Sequence, residues 1–289
     1  NSSIIGNIIF NGGNDDDVNT NKIDRFNVLG DLNEATFRTE SESESEQRIQ
    51  YTLDYVNNFD NNGKKLSING QYSSEIEDIL NDITEIDTQV NLLNDLEQVL
   101  ENQNENSGLL QIDYVNSVGE NIQYEAGYRA NYRDIFNSFY LAEREDFENN
   151  GPLIPDTGLN NSFNYEELIN AAYVQYGQKF NRISLLVGLR YEHTSLEIVQ
   201  EIGTTKNKIN YGKLFPTINL GFEFKDGENI TLGYNRRIRR PRGRSLNPFP
   251  SRSSESNVYS GNIDLNPVIT DAIDLGYLKR WDKFTLSTS

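Results

Sequence analysis

The sequence predicts an all-β fold, a transmembrane antiparallel up-and-down β-barrel with short periplasmic turns and long extracellular loops, and three observations predict it. Apolar and polar residues alternate with period two in run after run, the signature of strands with one face turned from water. Several runs exceed ten residues, longer than the usual soluble strand and enough for the roughly 9–11 residues that carry a tilted strand across hydrocarbon. The connections are unequal, one set short and the alternate set long, as in barrels of this kind.

About eleven strand candidates run from 2–10 to 284–289. "RIQYTLDYVNNF" puts Ile49, Tyr51, Leu53 and Tyr55 against Gln50, Thr52 and Asp54. "IQYEAGYRANYR" sets Ile122, Tyr124, Tyr128 and Tyr132 opposite Gln123, Glu125, Arg129 and Arg133. "ISLLVGLRYE" has Ile183, Leu185, Val187, Leu189 and Tyr191 on its apolar side. "LFPTINLGFEF" aligns Leu214, Ile218, Leu220, Phe222 and Phe224, and "ENITLGYN" aligns Ile230, Leu232 and Tyr234. "VITDAIDLGYLKRW" sets Ile269, Ile273, Leu275, Tyr277 and Trp281 against Thr270, Ala272, Asp274 and Gly276. The last candidate stops mid-strand at Ser289, and an open sheet in lipid leaves backbone groups without partners. Residues 1–289 are therefore expected to be an incomplete barrel segment, with a plug domain and further strands elsewhere.

The short connections are "DNNGK" at 60–64, "GEN" at 119–121, "NR" at 181–182, "KDG" at 225–227 and "DK" at 282–283. They suit tight hairpins. Long polar connections are expected at about 12–32, 74–105, 145–162 and 241–267, with a shorter one near 200–208. Phe59, Phe180, Phe224, Trp281 and Phe284 stand beside the short turns, where a periplasmic aromatic girdle sits.

Composition narrows the function classes. A net charge of −18 argues against a nucleic-acid binder, whose phosphate contacts need a basic face. No Cys and a single histidine, His193, leave little for thiol chemistry, a His-based metal site or a triad. No nucleophile elbow, phosphate loop or metal-ligand spacing is present, so neither an enzyme, a cofactor nor a metal is expected. No run approaches a membrane helix. The chain starts on Asn1 and holds no Met, which predicts a reading frame extending upstream.

"EIEDILNDITEIDTQVNLLNDLEQVL" at 75–100 breaks the alternation, with Ile76, Ile79, Leu80, Ile83 and Ile86 near helical spacing. An acidic amphipathic helix and a strand extension above the membrane both fit; the segment is read as an extended loop. "ESESESE" sets Glu40, Glu42, Glu44 and Glu46 on one face, in register with Gln50, Thr52 and Asp54. It admits an inward acidic patch that binds a cation, but a straight row does not converge on an ion. A solvated extension is the plainer reading, for it and for Asp15, Asp16 and Asp17.

Against this acidity, "YNRRIRRPRGRSLNPF" at 234–249 carries six arginines. Alternation points Arg237 and Arg239 inward with Asn235, and Arg236 and Arg240 outward; Pro241, lacking an N–H, ends the ladder. Inward arginines, together with Arg242 and Arg244, suit carboxylates of a lumen-filling plug or an anionic ligand. Outward ones suit lipid or lipopolysaccharide phosphates, and either set can simply balance neighbouring Asp and Glu.

The same segment resembles TonB-dependent outer-membrane receptors, most closely the outer-membrane β-barrel family of Bacteroidetes-type bacteria. The likeness is carried by Arg240-Pro241, Leu246-Asn247-Pro248-Phe249, Gly261-Asn262, Leu265-Asn266-Pro267 and Asp274-Leu275-Gly276-Tyr277. It covers most of 47–289. The family pattern has Glu after Leu-x-Pro, where this chain has Val268. The resemblance implies about half of a barrel of twenty-two strands, closed around an N-terminal plug and driven through the TonB energy-transducing protein. It implies residence in the outer membrane of a Gram-negative bacterium, among lipid and lipopolysaccharide, with a surface lipoprotein as a further partner. It implies uptake of a siderophore, cobalamin, saccharide or peptide. A non-transporting surface barrel, serving as adhesin or as part of a larger complex, shares every pattern above, and a soluble all-β binding protein shares the alternation.

Overall fold

The computed structural model describes residues 1–59, 63–144, 151–201, 205–241, 243–246, 251–254, 257–282 and 284–288. In chain order the elements are β1 (Ser2–Phe26), β2 (Leu32–Asn58), β3 (Lys65–Asp87), β4 (Leu92–Val118), β5 (Ile122–Glu143), β6 (Ile154–Pro155), β7 (Asn161–Phe180), β8 (Ile183–Gln200), β9 (Thr205–Lys225), β10 (Glu228–Arg239), α1 (Gly243–Leu246), β11 (Ser251–Ser254), β12 (Asn257–Tyr259), β13 (Val268–Arg280) and β14 (Thr285–Thr288). One sheet holds twelve of the strands, in the order β1-β2-β3-β4-β5-β7-β8-β9-β10-β13-β14, with β6 beside β5. Every neighbouring pair is antiparallel. The path β1 to β14 counts eleven strands, an odd number, so its two edge strands run in the same direction.

The short turns at 119–121, 181–182 and 225–227 form as the sequence predicts; those at 60–64 and 282–283 fall partly outside the described residues. Gly119, Asn181 and Gly227 adopt φ of 65°, 50° and 74°. Tight hairpins need such left-handed residues, and glycine reaches them without a Cβ penalty. At Gly227 a Cβ would also press to 3.2 Å from Arg280.

At the opposite end two predicted long loops are strand instead. The 12–32 segment continues β1 to Phe26 and turns within 27–31, where Asn27 Oδ1 accepts the N–H groups of Leu29 and Asp31. The 74–105 segment continues β3 to Asp87 and re-enters β4 at Leu92, so 75–100 is neither helix nor loop. Pairing decides this: β3 is hydrogen-bonded to β2 on one side and β4 on the other. A lone acidic helix would satisfy the same backbone groups while placing its carboxylates in like-charge contact. Asp15, Asp16 and Asp17 also lie in β1, paired with Glu44, Ser43 and Glu42. β2 and β4 each run 27 residues, well beyond what hydrocarbon requires.

The inner face changes character along these strands. Near the short turns the outer face is greasy, with Leu53, Leu110, Tyr128, Val174, Leu189, Leu220 and Ile273 all exposed. The inner face there is polar: Asp54, Asn69, Gln111 and Arg129 stand in one cross-strand row. The outer row Ser74–Asn106–Asp134–Glu166–Glu197 then ends the apolar belt. Beyond it the inner face of β5, β7 and β8 turns apolar as well, while Leu100, Phe136, Tyr140 and Val199 keep apolar side chains on the outer face. Ile135, Tyr165 and Ile198, one row on, are buried on the inner face. With Ile83, Val99, Phe139, Leu141, Phe163 and Leu246 they form the apolar core. The core therefore lies in the extension beyond the belt, not within it.

Candidate functional site

The inner face of the extension and the connection between β10 and β13 meet at this core. β10 keeps strict alternation because β9 and β13 flank it in register. Asn235 faces inward opposite Thr217 and Ala272. Arg237 and Arg239 share that side and are exposed, with no ion pair among the described residues. Directly across from Arg239 stands Val268, the position where the resembled pattern has Glu. The missing carboxylate leaves the Arg239 guanidinium open to solvent.

Arg236 faces outward and is bound by Asp271, at 2.8 Å from Nε and 3.2 Å from Nη2. Asp271 also accepts the Tyr234 hydroxyl at 2.8 Å. The outward-facing Arg236 thus already holds a carboxylate.

Arg240 does not follow the outward alternation. Its Nη2 donates to Glu192 Oε2 at 2.7 Å and to Thr194 Oγ1 at 2.9 Å, both on the inner face of β8. Arg190 Nε holds the other oxygen of Glu192 at 2.7 Å. β10 ends at Arg239, so the strand's facing rule no longer governs the next residue, and the paired buried carboxylate takes its side chain. The ladder stops at Arg239, two residues before Pro241. The chain then makes one helical turn, α1, whose Leu246 enters the apolar core and is 2% exposed. Asn262 ties the two ends of this connection together: its N–H donates to Ser245 O at 2.8 Å, and its Oδ1 accepts the N–H of Asp264 at 2.9 Å. Gly261, Leu265 and Pro267 belong to the same return segment into β13, and Leu265 N–H donates to Asn262 O. Arg242, Asn247, Pro248 and the side chain of Arg244 lie outside the described residues.

Glu40, Glu42, Glu44 and Glu46 sit on the inner face of β2, half-buried rather than solvated. Glu44 pairs in register with Ile79, and Glu46 with Glu77. Burial, and then the charge and hydrogen bond of Glu44, push the Glu77 carboxyl up to about 7. Burial likewise raises Glu40 and Glu101 above the usual carboxylate range. Glu40, Glu42 and Glu101 line a cavity of about 130 Å³ whose other wall includes Val99, Phe139 and Leu141. Sequence reading missed it because Glu101, Asn81 and Phe139 come from three different strands. The only available signal was the inward parity of the glutamates.

His193 is exposed on the outer face, opposite Asn170 and Gly212. Among the described residues no group of three or more His, Cys, Asp or Glu is placed to hold a metal ion. Phe59, Phe180, Phe224, Trp281 and Phe284 are all exposed at the short-turn end. Lys64 Nζ lies 5.6 Å from the Phe59 ring, and Trp281 stacks on Phe284 at 5.4 Å with Lys279 Nζ 5.1 Å from its ring.

No curated protein matches the chain. Among solved structures, the ferric citrate transporter FecA in unliganded form matches at 11% identity over 85% of this chain and 41% of that one, with a TM-score of 0.42. The ferric yersiniabactin uptake receptor FyuA from Yersinia pestis matches at 10% identity over 93% and 47%, with a TM-score of 0.43. BauA, the ferric preacinetobactin receptor from Acinetobacter baumannii, matches at 9% identity over 96% and 46%, with a TM-score of 0.49. The chain spans less than half the length of each. The family described as the outer membrane protein beta-barrel family matches residues 57–289. With that match over most of its length, and an outward belt of exposed Leu, Ile and Tyr, the chain belongs to the outer membrane protein beta-barrel family and resides in the Gram-negative outer membrane.

Proposed function

We propose that this chain is the barrel portion of a TonB-dependent receptor that takes up a ligand from outside the cell. The observation that carries the reading is the pair of free sheet edges running in one direction. Antiparallel closure between them needs an odd number of further strands, and a second set of about eleven completes an even-numbered barrel. A lumen of that size is wide enough to need a plug. Arg237 and Arg239, exposed on the inner face without carboxylate partners among the described residues, are the contacts assigned to that plug or to ligand, with Arg242 and Arg244 in the connection above. Arg236, through its free edge beside Asp271, is the residue left for lipid phosphate. The exposed aromatics at the short turns serve as the periplasmic girdle.

The ligand class stays open among siderophore, cobalamin, saccharide and peptide. Its energy reaches the barrel through TonB and the plug. The test is Arg237→Glu in the full-length protein, followed by uptake and by heat-modifiable migration of the outer-membrane fraction. Reduced, TonB-dependent uptake with unchanged barrel insertion is expected. Wild-type uptake in the variant discards the role of Arg237, and uptake that never depends on TonB discards the receptor reading in favour of a surface barrel.

A further inference from the structure

The cavity on the inner face of the extension has an unusual lining for a barrel lumen. One side is acidic: Glu40 and Glu42 from β2 and Glu101 from β4. The other is apolar, with Val99 8%, Phe139 5% and Leu141 2% exposed. Arg38, fully buried, contacts Glu97 at 3.5 Å and its charge also reaches Glu40, while the charge beside Glu101 is the like charge of Glu42. Between them lies Asn81, which also lines the cavity and is 8% exposed. Its Nδ2 donates to Glu42 Oε2 at 2.9 Å, while its Oδ1 accepts nothing. A buried amide oxygen left without a donor is unfavourable, so this position favours a ligand that brings a hydrogen-bond donor.

A ligand that completes the wall must bring N–H donors and positive charge on one end and apolar surface on the other. The acidic groups are not grouped as metal ligands among the described residues, which favours an organic cation. Size sets the rest: the cavity holds about 130 Å³, close to the roughly 150 Å³ at which an apolar cavity accepts benzene. We propose that this cavity binds a protonated primary amine carried on a small apolar group, with the ammonium among Glu42, Glu101 and Asn81 Oδ1 and the apolar group against Val99, Phe139 and Leu141. Leu246, from the connection after β10, belongs to the same apolar cluster as Val99, Phe139 and Leu141. The inference rests on the receptor reading for its biological meaning and names the ligand end that the extension recognises: an aminated ligand, not an anionic one.

The test uses the full-length protein in detergent and calorimetric titration with benzylamine, with benzyl alcohol and benzoate as same-shape probes without the positive charge. Benzylamine is expected to bind at least about tenfold more tightly than benzyl alcohol, the worth of one or two charge-assisted hydrogen bonds, and benzoate not to bind. Glu42→Gln and Glu101→Gln are each expected to weaken benzylamine by about tenfold. Equal binding of amine and alcohol by the wild-type protein, which needs no variant to fold, overturns the proposal, as does benzylamine affinity unchanged in both variants. Heat-modifiable migration of the same sample reports the barrel separately. A heat-modifiable protein that ignores benzylamine therefore sinks the cavity assignment and leaves the receptor reading standing.

Discussion

Replacing Arg240 with alanine removes the charged side chain that, among the described residues, ties the start of the β10–β13 connection to β8. Two losses follow. The bond from Nη2 to Glu192 is charge-assisted, and its partners are 19% and 11% exposed, so water replaces it incompletely. Thr194, 1% exposed, loses the donor to its hydroxyl oxygen. Arg190 still holds Glu192, which keeps that carboxylate from being orphaned. A charge-assisted bond at about 1.5–3 kcal/mol, with part of a buried hydroxyl's desolvation added and part of the charge compensated by Arg190, comes to about 2 kcal/mol. That raises the open population of the connection about thirtyfold. The assay is limited trypsin digestion of the folded protein, followed at the bond after Arg244, because Leu246 must leave the core before a protease can bind there. Cleavage is expected to quicken by that factor in Arg240→Ala, and by less in Arg240→Lys, which keeps charge but has a shorter reach and no planar fork. Unchanged cleavage in Arg240→Ala refutes the claim that this network anchors the connection.

Four further outcomes follow from the same geometry. Ile273→Lys places an ammonium on the outer belt at a side chain 75% exposed to its surroundings; insertion should be weakened by up to about 2–4 kcal/mol, read as loss of heat-modifiable protein in the membrane fraction, whereas a water-facing site would tolerate it. Gly127→Ala builds a Cβ into the Tyr173 ring and should cost about 1–3 kcal/mol in a denaturant titration, because the ring must move and its hydroxyl bonds to Asp113 and Glu125 break with it. Val268→Glu puts a carboxylate directly across from Arg239 and should gain about 0.2–1 kcal/mol, abolished by a paired Arg239→Ala. Glu77 titrates at about 7 in the fold against 4.5 when free, so the native state binds more protons between those values and stability falls as pH rises through them; with solvent screening of a half-buried group the loss is about 1 kcal/mol, and Glu77→Gln should flatten the pH profile of the unfolding midpoint.

Much of the barrel was legible because its signals are local. Period-two runs such as 183–191 and 230–234 specify both strand and outward face, and left-handed Asn181 and Gly227 stand where the short turns were read. The extension was less legible. In β3, Ile79 and Ile83 face inward while Ile76 and Leu80 face outward, so the apolar residues of both faces together imitate helical spacing. Only pairing with β2 and β4, remote in sequence, distinguishes the two. Arg240 was misread for a related reason: alternation holds only inside a ladder, and the ladder stops one residue earlier. The cavity could not be read at all, since its carboxylates and its apolar wall become neighbours only through register between strands.

The onset of inner-face burial locates the membrane boundary without reference to any relative. Within the belt, outward apolar side chains such as Leu189 need no protein partner if hydrocarbon covers them, and the inner face can stay polar because water or a plug satisfies it. Beyond the belt the inner-face residues Ile135, Tyr165 and Ile198 pack on one another, a burial the belt's inner face lacks, while Leu100, Phe136 and Tyr140 still face outward. In β8 the change falls between Tyr191, exposed and outward, and Ile198, 1% exposed and inward, with no register shift in its pairing to β7. In β5 it falls between Tyr132 and Ile135, again in continuous register. A soluble sandwich has no reason to start burying its inner face only halfway along an unbroken strand. The onset of that burial at the matching row Ile135–Tyr165–Ile198 of β5, β7 and β8 is the mark of a change of surroundings along one wall. The proposed amine pocket lies beyond that line, against the apolar cluster of the described residues and on the inner face of the strands that outreach the belt.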